Sequence, residues 1–183
     1  CELCPRRCGA DRTKHAGRCG ARGQLRAARA ALHFWEEPCI SGEKGSGTVF
    51  FTGCSLGCCY CQNYAISQQG LGKGIDEKRL ADIFLELQAK GAANLNLVTA
   101  TQWLPWVTAA LDSARARGLA LPVVWNTGGY ETPETVAALK GYVDVWLCDV
   151  KYISAEISKK YSDAANYFTV CEAAVKAMLE QAG

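Results

Sequence analysis

The chain has 183 residues, 49% of them hydrophobic and 21% charged, and a net charge of +2. That composition suits one folded domain with its own core and a small appendage, and no apolar run approaches the ~20 residues of a membrane span. Eleven cysteines, an odd number in tight C-x-x-C groups, speak for metal thiolates rather than a disulfide framework, and so for a reducing, cytoplasmic setting.

Residues 1–22 are Gly- and Arg-rich, have little periodicity, and read as a Cys-rich metal-binding knuckle. Cys1, Cys4, Cys8 and Cys19 form the pattern C-x2-C-x3-C-x10-C. Four thiolates saturate a metal, so such a site is closed and not catalytic; zinc and an auxiliary 4Fe–4S cluster both remain open. His15 and Cys39 are substitute ligands, although His15 reads first as a solvated loop histidine. Residues 1–29 carry eight Lys and Arg against Glu2 and Asp11, a local charge of +6. A basic end can bind nucleic acid. Here the arginines interleave with cysteines whose metal-bound thiolates are anionic, and no aromatic side chain is present for bases to stack on. A nucleic-acid partner is not expected. No signal peptide is legible, although the sequence starts at Cys1 rather than at a methionine.

Residues 23–47 read as a helix and a connector. QLRAARAALHFWEE (24–37) places Leu25, Ala28, Leu32 and Trp35 on one helical face, and Pro38 ends it. From Thr48 the pattern becomes regular. A strand over 48–54 leads into a Cys- and Gly-rich loop. Asp76 caps a helix whose Leu80, Ile83, Phe84 and Leu87 are spaced i, i+3, i+4, i+7, with Gly91 beyond. A strand over 94–100, a helix from Pro105 to Gly118, and a strand over 121–127 follow. Trp103 and Trp106 read as core packing at the start of that helix. Thr132-Pro133 opens a helix that ends near Gly141; a strand over 143–150 and further helical stretches complete the chain. Cys148 and Cys171 read as small buried hydrophobes. Alternating strands and helices imply an α/β fold with a parallel sheet. A full (β/α) barrel takes roughly 250 residues. Residues 48–183 therefore make about four units, a partial (β/α) barrel incomplete at its C-terminus, with an uncovered edge after the fourth strand.

The sharpest motif is Cys54-Ser-Leu-Gly-Cys58-Cys-Tyr60-Cys61, C-x3-C-x2-C with an aromatic before the last cysteine. Three thiolates on one loop can hold three irons of a cubane and leave the fourth open to a chelating ligand. Gly53 and Gly57 allow the loop to wrap closely, and Cys59 is an extra thiol. The stretch GEKGSGTVFFTGCSLGCCYCQN (42–63) resembles the radical S-adenosylmethionine (SAM) signature of the pyruvate formate-lyase activating enzyme branch. HFWEEPCISG (33–42), NTGGYETPETVAAL (126–139) and DVKY (149–152) resemble a little-characterised group of activating-enzyme homologues.

The resemblance implies a 4Fe–4S cluster on Cys54, Cys58 and Cys61, with SAM held at the open iron through its amino and carboxylate groups. One electron then cleaves SAM to methionine and a 5′-deoxyadenosyl radical, which takes a hydrogen atom from the substrate; a glycine of a partner protein is one candidate. A flavodoxin or ferredoxin would supply the electron. By the same resemblance Tyr60 and Asn63 lie at the cofactor, with Tyr60 by the adenine, and Asn126, Thr127 and Gly128 lie by the ribose. Asp149 and Lys151 match an Asp-x-Lys pair at the methionine end. Position agrees, since chemistry in such barrels sits at the C-terminal ends of the strands. One departure stands out: relatives carry Gly-Gly-Glu after the second strand, whereas this chain has Thr99-Ala100-Thr101-Gln102, so backbone carbonyls and hydroxyls there would receive the SAM amino group. A different class of function, an iron–sulfur electron-transfer or scaffold protein without SAM cleavage, fits the cysteine count as well.

Overall fold

The computed structural model describes residues 1–183. Its centre is a six-stranded sheet in the order β3-β1-β2-β4-β5-β6. The strands are β1 (Arg26–His33), β2 (Ser46–Phe51), β3 (Lys73–Gly74), β4 (Leu95–Val98), β5 (Val123–Thr127) and β6 (Val145–Cys148). Strands β2, β4, β5 and β6 run parallel in neighbouring pairs, while β1 is antiparallel to both β2 and β3. Strand β6 forms one edge of the sheet.

The helices are α1 (Pro38–Ser41), α2 (Tyr64–Ser67), α3 (Glu77–Ala89), α4 (Leu104–Ala116), α5 (Pro133–Ala138), α6 (Ala155–Ser162) and α7 (Tyr167–Ala182). Helix α3 starts as its sequence requires: the Asp76 carboxylate accepts the Arg79 N–H and satisfies one of the free first-turn donors. Thr132 caps α5 in the same way, with Pro133 at the first helical position.

Strand alternation decides which side of the sheet is core. Val49 and Phe51, Leu95 and Leu97, and Val123 and Trp125 face one way and pack on Leu80, Phe84 and Leu87 of α3 and Val107, Ala110 and Leu111 of α4. Helix α7 covers β6 through Ala174 and Met178, which pack beside Trp146 and Cys148. No helix is long and apolar enough to cross a membrane.

Residues 24–37 correct the sequence reading. They hold strand β1, and the expected helix is absent. Leu25 is fully buried, but Trp35, placed on the same helical face by periodicity, is 89% exposed. The alanine-rich segment has high helix propensity, yet it pairs with β2 from Ala27↔Phe51 to His33↔Ser46, with a bulge between Ala27 and Arg29. That pairing satisfies backbone groups on β2 that would otherwise lie at an open edge, and this long-range gain outweighs local preference. Pro38 opens the short α1 rather than ending a helix.

Candidate active site

The parallel strands end at Phe51, Val98, Thr127 and Cys148, and the loops after them gather at one end of the sheet. The first loop carries Cys54, Cys58 and Cys61, and three directions hold it. The Cys54 N–H donates to the carbonyl of Cys19 (3.2 Å), and those of Gly57 and Cys59 donate to the carbonyls of Ser162 and Tyr161 at the end of α6. Arg6 donates from Nε to the Ser55 carbonyl at 2.8 Å. Gln68, just after α2, donates to the Leu56 carbonyl at 2.9 Å.

Each of the three sulfurs accepts a hydrogen bond: Cys54 from the Leu56 N–H (3.4 Å), Cys58 from the Ser162 hydroxyl (2.8 Å) and Cys61 from the Ser67 hydroxyl (3.3 Å). Burial pushes the Cys54 thiol up to about 12 against the pull of the Leu56 N–H, and nearby Cys58 and Cys61 push the same way. A metal reverses that balance by deprotonating its thiol ligands outright. Cys59 stays exposed.

The loop after β4 is held internally. Thr99 has φ +56°, and Gln102 donates from Nε2 to the carbonyls of Thr52, Gly53 and Thr99. Gln102 thus ties this loop to the start of the cysteine loop, while its own carbonyl accepts the Arg12 guanidinium. Trp103 is fully buried, bonds the Thr52 carbonyl and meets Trp106 edge-on, as core packing requires.

Thr101 and Thr127 both spend their hydroxyls on a residue the sequence did not single out. Glu131 is 2% exposed; its Oε1 accepts the Thr101 hydroxyl at 2.5 Å and the Thr127 hydroxyl at 2.6 Å, and its Oε2 has no partner. Burial pushes the Glu131 carboxyl up to about 7 against those two donors. Asn126 donates to Glu36, which also takes the Asn96 amide at 2.6 Å, so this asparagine already has a carboxylate partner. Only an acidic residue before the Thr-Pro cap hinted at Glu131, and nothing local marked Glu36.

Gly128 joins three loops: a Cβ there would meet Leu56 at 3.1 Å and Lys151 at 3.4 Å. Lys151 forms an ion pair with Asp149, and that contact raises the lysine above its usual range against a burial effect that would lower it. Tyr167, also missed, accepts the Lys151 N–H at 2.9 Å and lies within 2.9 Å of the carbonyls of Gly128 and Asp149. It fixes the third loop against the fourth. Tyr60 bonds Tyr152, which bonds Ser162 at 2.6 Å, completing a chain of hydroxyls that ends on Cys58. Asn63 sits at the N-cap of α2, its side chain making no capping bond.

The N-terminal cysteines lie against the same end of the molecule. Cys4 and Cys19 are buried, Cys1 is half-buried and Cys8 is exposed. His15 and Cys39 are exposed; Cys171 is buried and Cys148 half-buried. No three His, Cys, Asp or Glu side chains draw close enough to hold one metal ion in common.

Residues 48–181 match the family model of the radical SAM superfamily. The chain belongs to that superfamily, whose members carry a 4Fe–4S cluster and use SAM. It is similar to the uncharacterized protein MJ0674 of Methanocaldococcus jannaschii, with 32% identity over 177 residues, covering 93% of this chain and 51% of the relative. The chain thus spans about half the length of that protein.

Proposed function

We propose that this chain is the cofactor-binding part of a hydrogen-abstracting radical SAM enzyme of the activating-enzyme type. The observation that carries the reading is the cradle of Cys54, Cys58 and Cys61: three sulfurs on one octapeptide at the C-terminal ends of the parallel strands, each already facing a hydrogen-bond donor. Those three residues hold the 4Fe–4S cluster. When bound, the cluster supplies the electron that cleaves SAM, and SAM supplies the group that abstracts hydrogen.

The chain's own residues bind and orient. Lys151 meets the SAM carboxylate through a charge-assisted bond, and Asp149 next to it suits the amino group. Carbonyls of the Thr99–Gln102 loop stand in for the Gly-Gly-Glu segment. Thr101 and Thr127 contribute through Glu131, which braces the two loops from behind. Tyr60 borders the adenine, and the four parallel units are read as part of a (β/α) barrel. The electron donor is of the flavodoxin or ferredoxin class. The substrate is a protein or peptide, with a glycine as the site of abstraction; the support for it is resemblance to activating enzymes.

The test is anaerobic reconstitution of the full-length protein with iron and sulfide, followed by dithionite and SAM. Release of 5′-deoxyadenosine and methionine, lost in the Cys54→Ala/Cys58→Ala/Cys61→Ala variant, is expected. Iron content and SAM cleavage that survive in that variant overturn the reading.

A further inference from the structure

We propose that Cys1, Cys4, Cys8 and Cys19 hold a second iron–sulfur cluster, in electron-transfer contact with the Cys54 loop. Spacing argues for a cluster first. Cys1, Cys4 and Cys8 fall in an octapeptide, C-x2-C-x3-C, which is the reverse of the C-x3-C-x2-C of residues 54–61. Zinc knuckles draw their ligands as two separated pairs, whereas several cysteines in one short run are the habit of iron–sulfur sites.

Two of the thiols share one hollow. A Cβ on Gly17 would lie 3.5 Å from the sulfur of Cys8 and 3.6 Å from that of Cys19, so both sulfurs close on a glycine that leaves them room. Cys4 and Cys19 are both buried. The Arg12 guanidinium donates to the Cys1 sulfur at 3.0 Å. Such donors stabilise thiolates and set cluster potentials.

Contact with the other site is direct. The peptide carbonyl of Cys19, the fourth thiolate, accepts the N–H of Cys54, the first thiolate of the other set. One electron taken from a ferredoxin-class donor and passed on leaves this cluster in its starting state, with no bond made and no proton moved. With four protein thiolates it has no open iron and does not itself bind SAM. The electron-transfer half of the proposal rests on the cluster at Cys54; the site itself does not.

Metal analysis of the full-length protein, prepared without oxygen, tests both halves. Wild type is expected to carry about eight iron and eight sulfide per chain, and the Cys54→Ala/Cys58→Ala/Cys61→Ala variant about four of each. Stoichiometric zinc, or no bound metal, in that variant overturns the proposal. Should the variant be insoluble, the wild-type count decides: about four iron, with or without zinc, overturns it as well. A Cys4→Ser/Cys19→Ser protein should keep about four iron, and one that still carries about eight overturns the proposal. Loss of cleavage alone in wild type would strike the enzymatic reading and leave this site standing. In fully reduced wild type the electron paramagnetic resonance signals should broaden through mutual coupling; two independent signals would remove the electron-transfer half.

Discussion

The carbonyl of Cys19 presses on Gly53 so closely that a methyl group there would stand 2.3 Å from the oxygen. Gly53 also has φ +88°, and the next residue donates its N–H to that same carbonyl. Two reasons therefore require glycine: the left-handed backbone and the approach of the N-terminal segment. Gly53→Ala should lower stability by about 3 kcal/mol, combining strain with overpacking. It should also reduce iron retained after reconstitution. Urea unfolding monitored by circular dichroism checks the first expectation; an unchanged midpoint would show that the N-terminal segment yields freely.

Ser162 offers a finer probe. Its hydroxyl donates to Cys58, and Tyr152 bonds it in turn. Hydrogen bonds to cluster sulfurs favour the reduced state by offsetting its extra negative charge. Ser162→Ala should therefore keep its iron but shift the potential of the cluster downward. A redox titration followed by electron paramagnetic resonance reads the shift, and an unaltered or raised potential would remove Ser162 from this role.

Residues near in sequence announced the fold well; those that meet across it did not. Helix α3 was legible because Asp76, Leu80, Ile83, Phe84 and Leu87 lie within three turns and carry both the cap and the buried stripe. The cysteine loop stood out because Cys54, Cys58 and Cys61 sit in eight residues. Strand β1 was not, because its pairing with β2 is decided by a partner almost twenty residues away, while its alanines locally favour a helix. Glu131 escaped for the same reason: Thr101 is thirty residues from it, and only folding brings that hydroxyl and the Thr127 hydroxyl to one carboxyl oxygen.

Glu131 also makes stability depend on pH. Its carboxyl is raised by burial from 4.5 to about 7. The folded state thus holds the proton more tightly than the unfolded chain. The contribution is fully present below about pH 4.5 and is lost as pH rises through about 7, amounting to about 3 kcal/mol. Glu131→Gln keeps a carbonyl for Thr101 and Thr127 and does not ionise. Between pH 5 and 8 wild type should lose more stability than the variant, as measured by paired denaturation curves. Parallel curves would mean that the carboxylate is compensated in some other way.

Lys151 decides whether the fourth loop binds a ligand or merely closes a surface ion pair. Asp149 is the more exposed partner, with 61% of its side chain open against 24% for Lys151. An exposed pair of this kind contributes about 1 kcal/mol or less to folding. The lysine, by contrast, packs beside Gly128 and has its own N–H fixed by Tyr167. A carboxylate meeting an ammonium so positioned gains about 1.5–3 kcal/mol, or roughly ten- to a hundredfold in affinity. Lys151→Met should therefore weaken SAM binding by that factor in calorimetric titration of the reconstituted protein, with iron content and thermal midpoint almost unchanged. Asp149→Asn frees the ammonium from its competing partner while removing the negative charge that suits the amino group, and its loss should be smaller. Equal SAM affinity in wild type and Lys151→Met would leave Asp149 and Lys151 as a plain ion pair at a strand end.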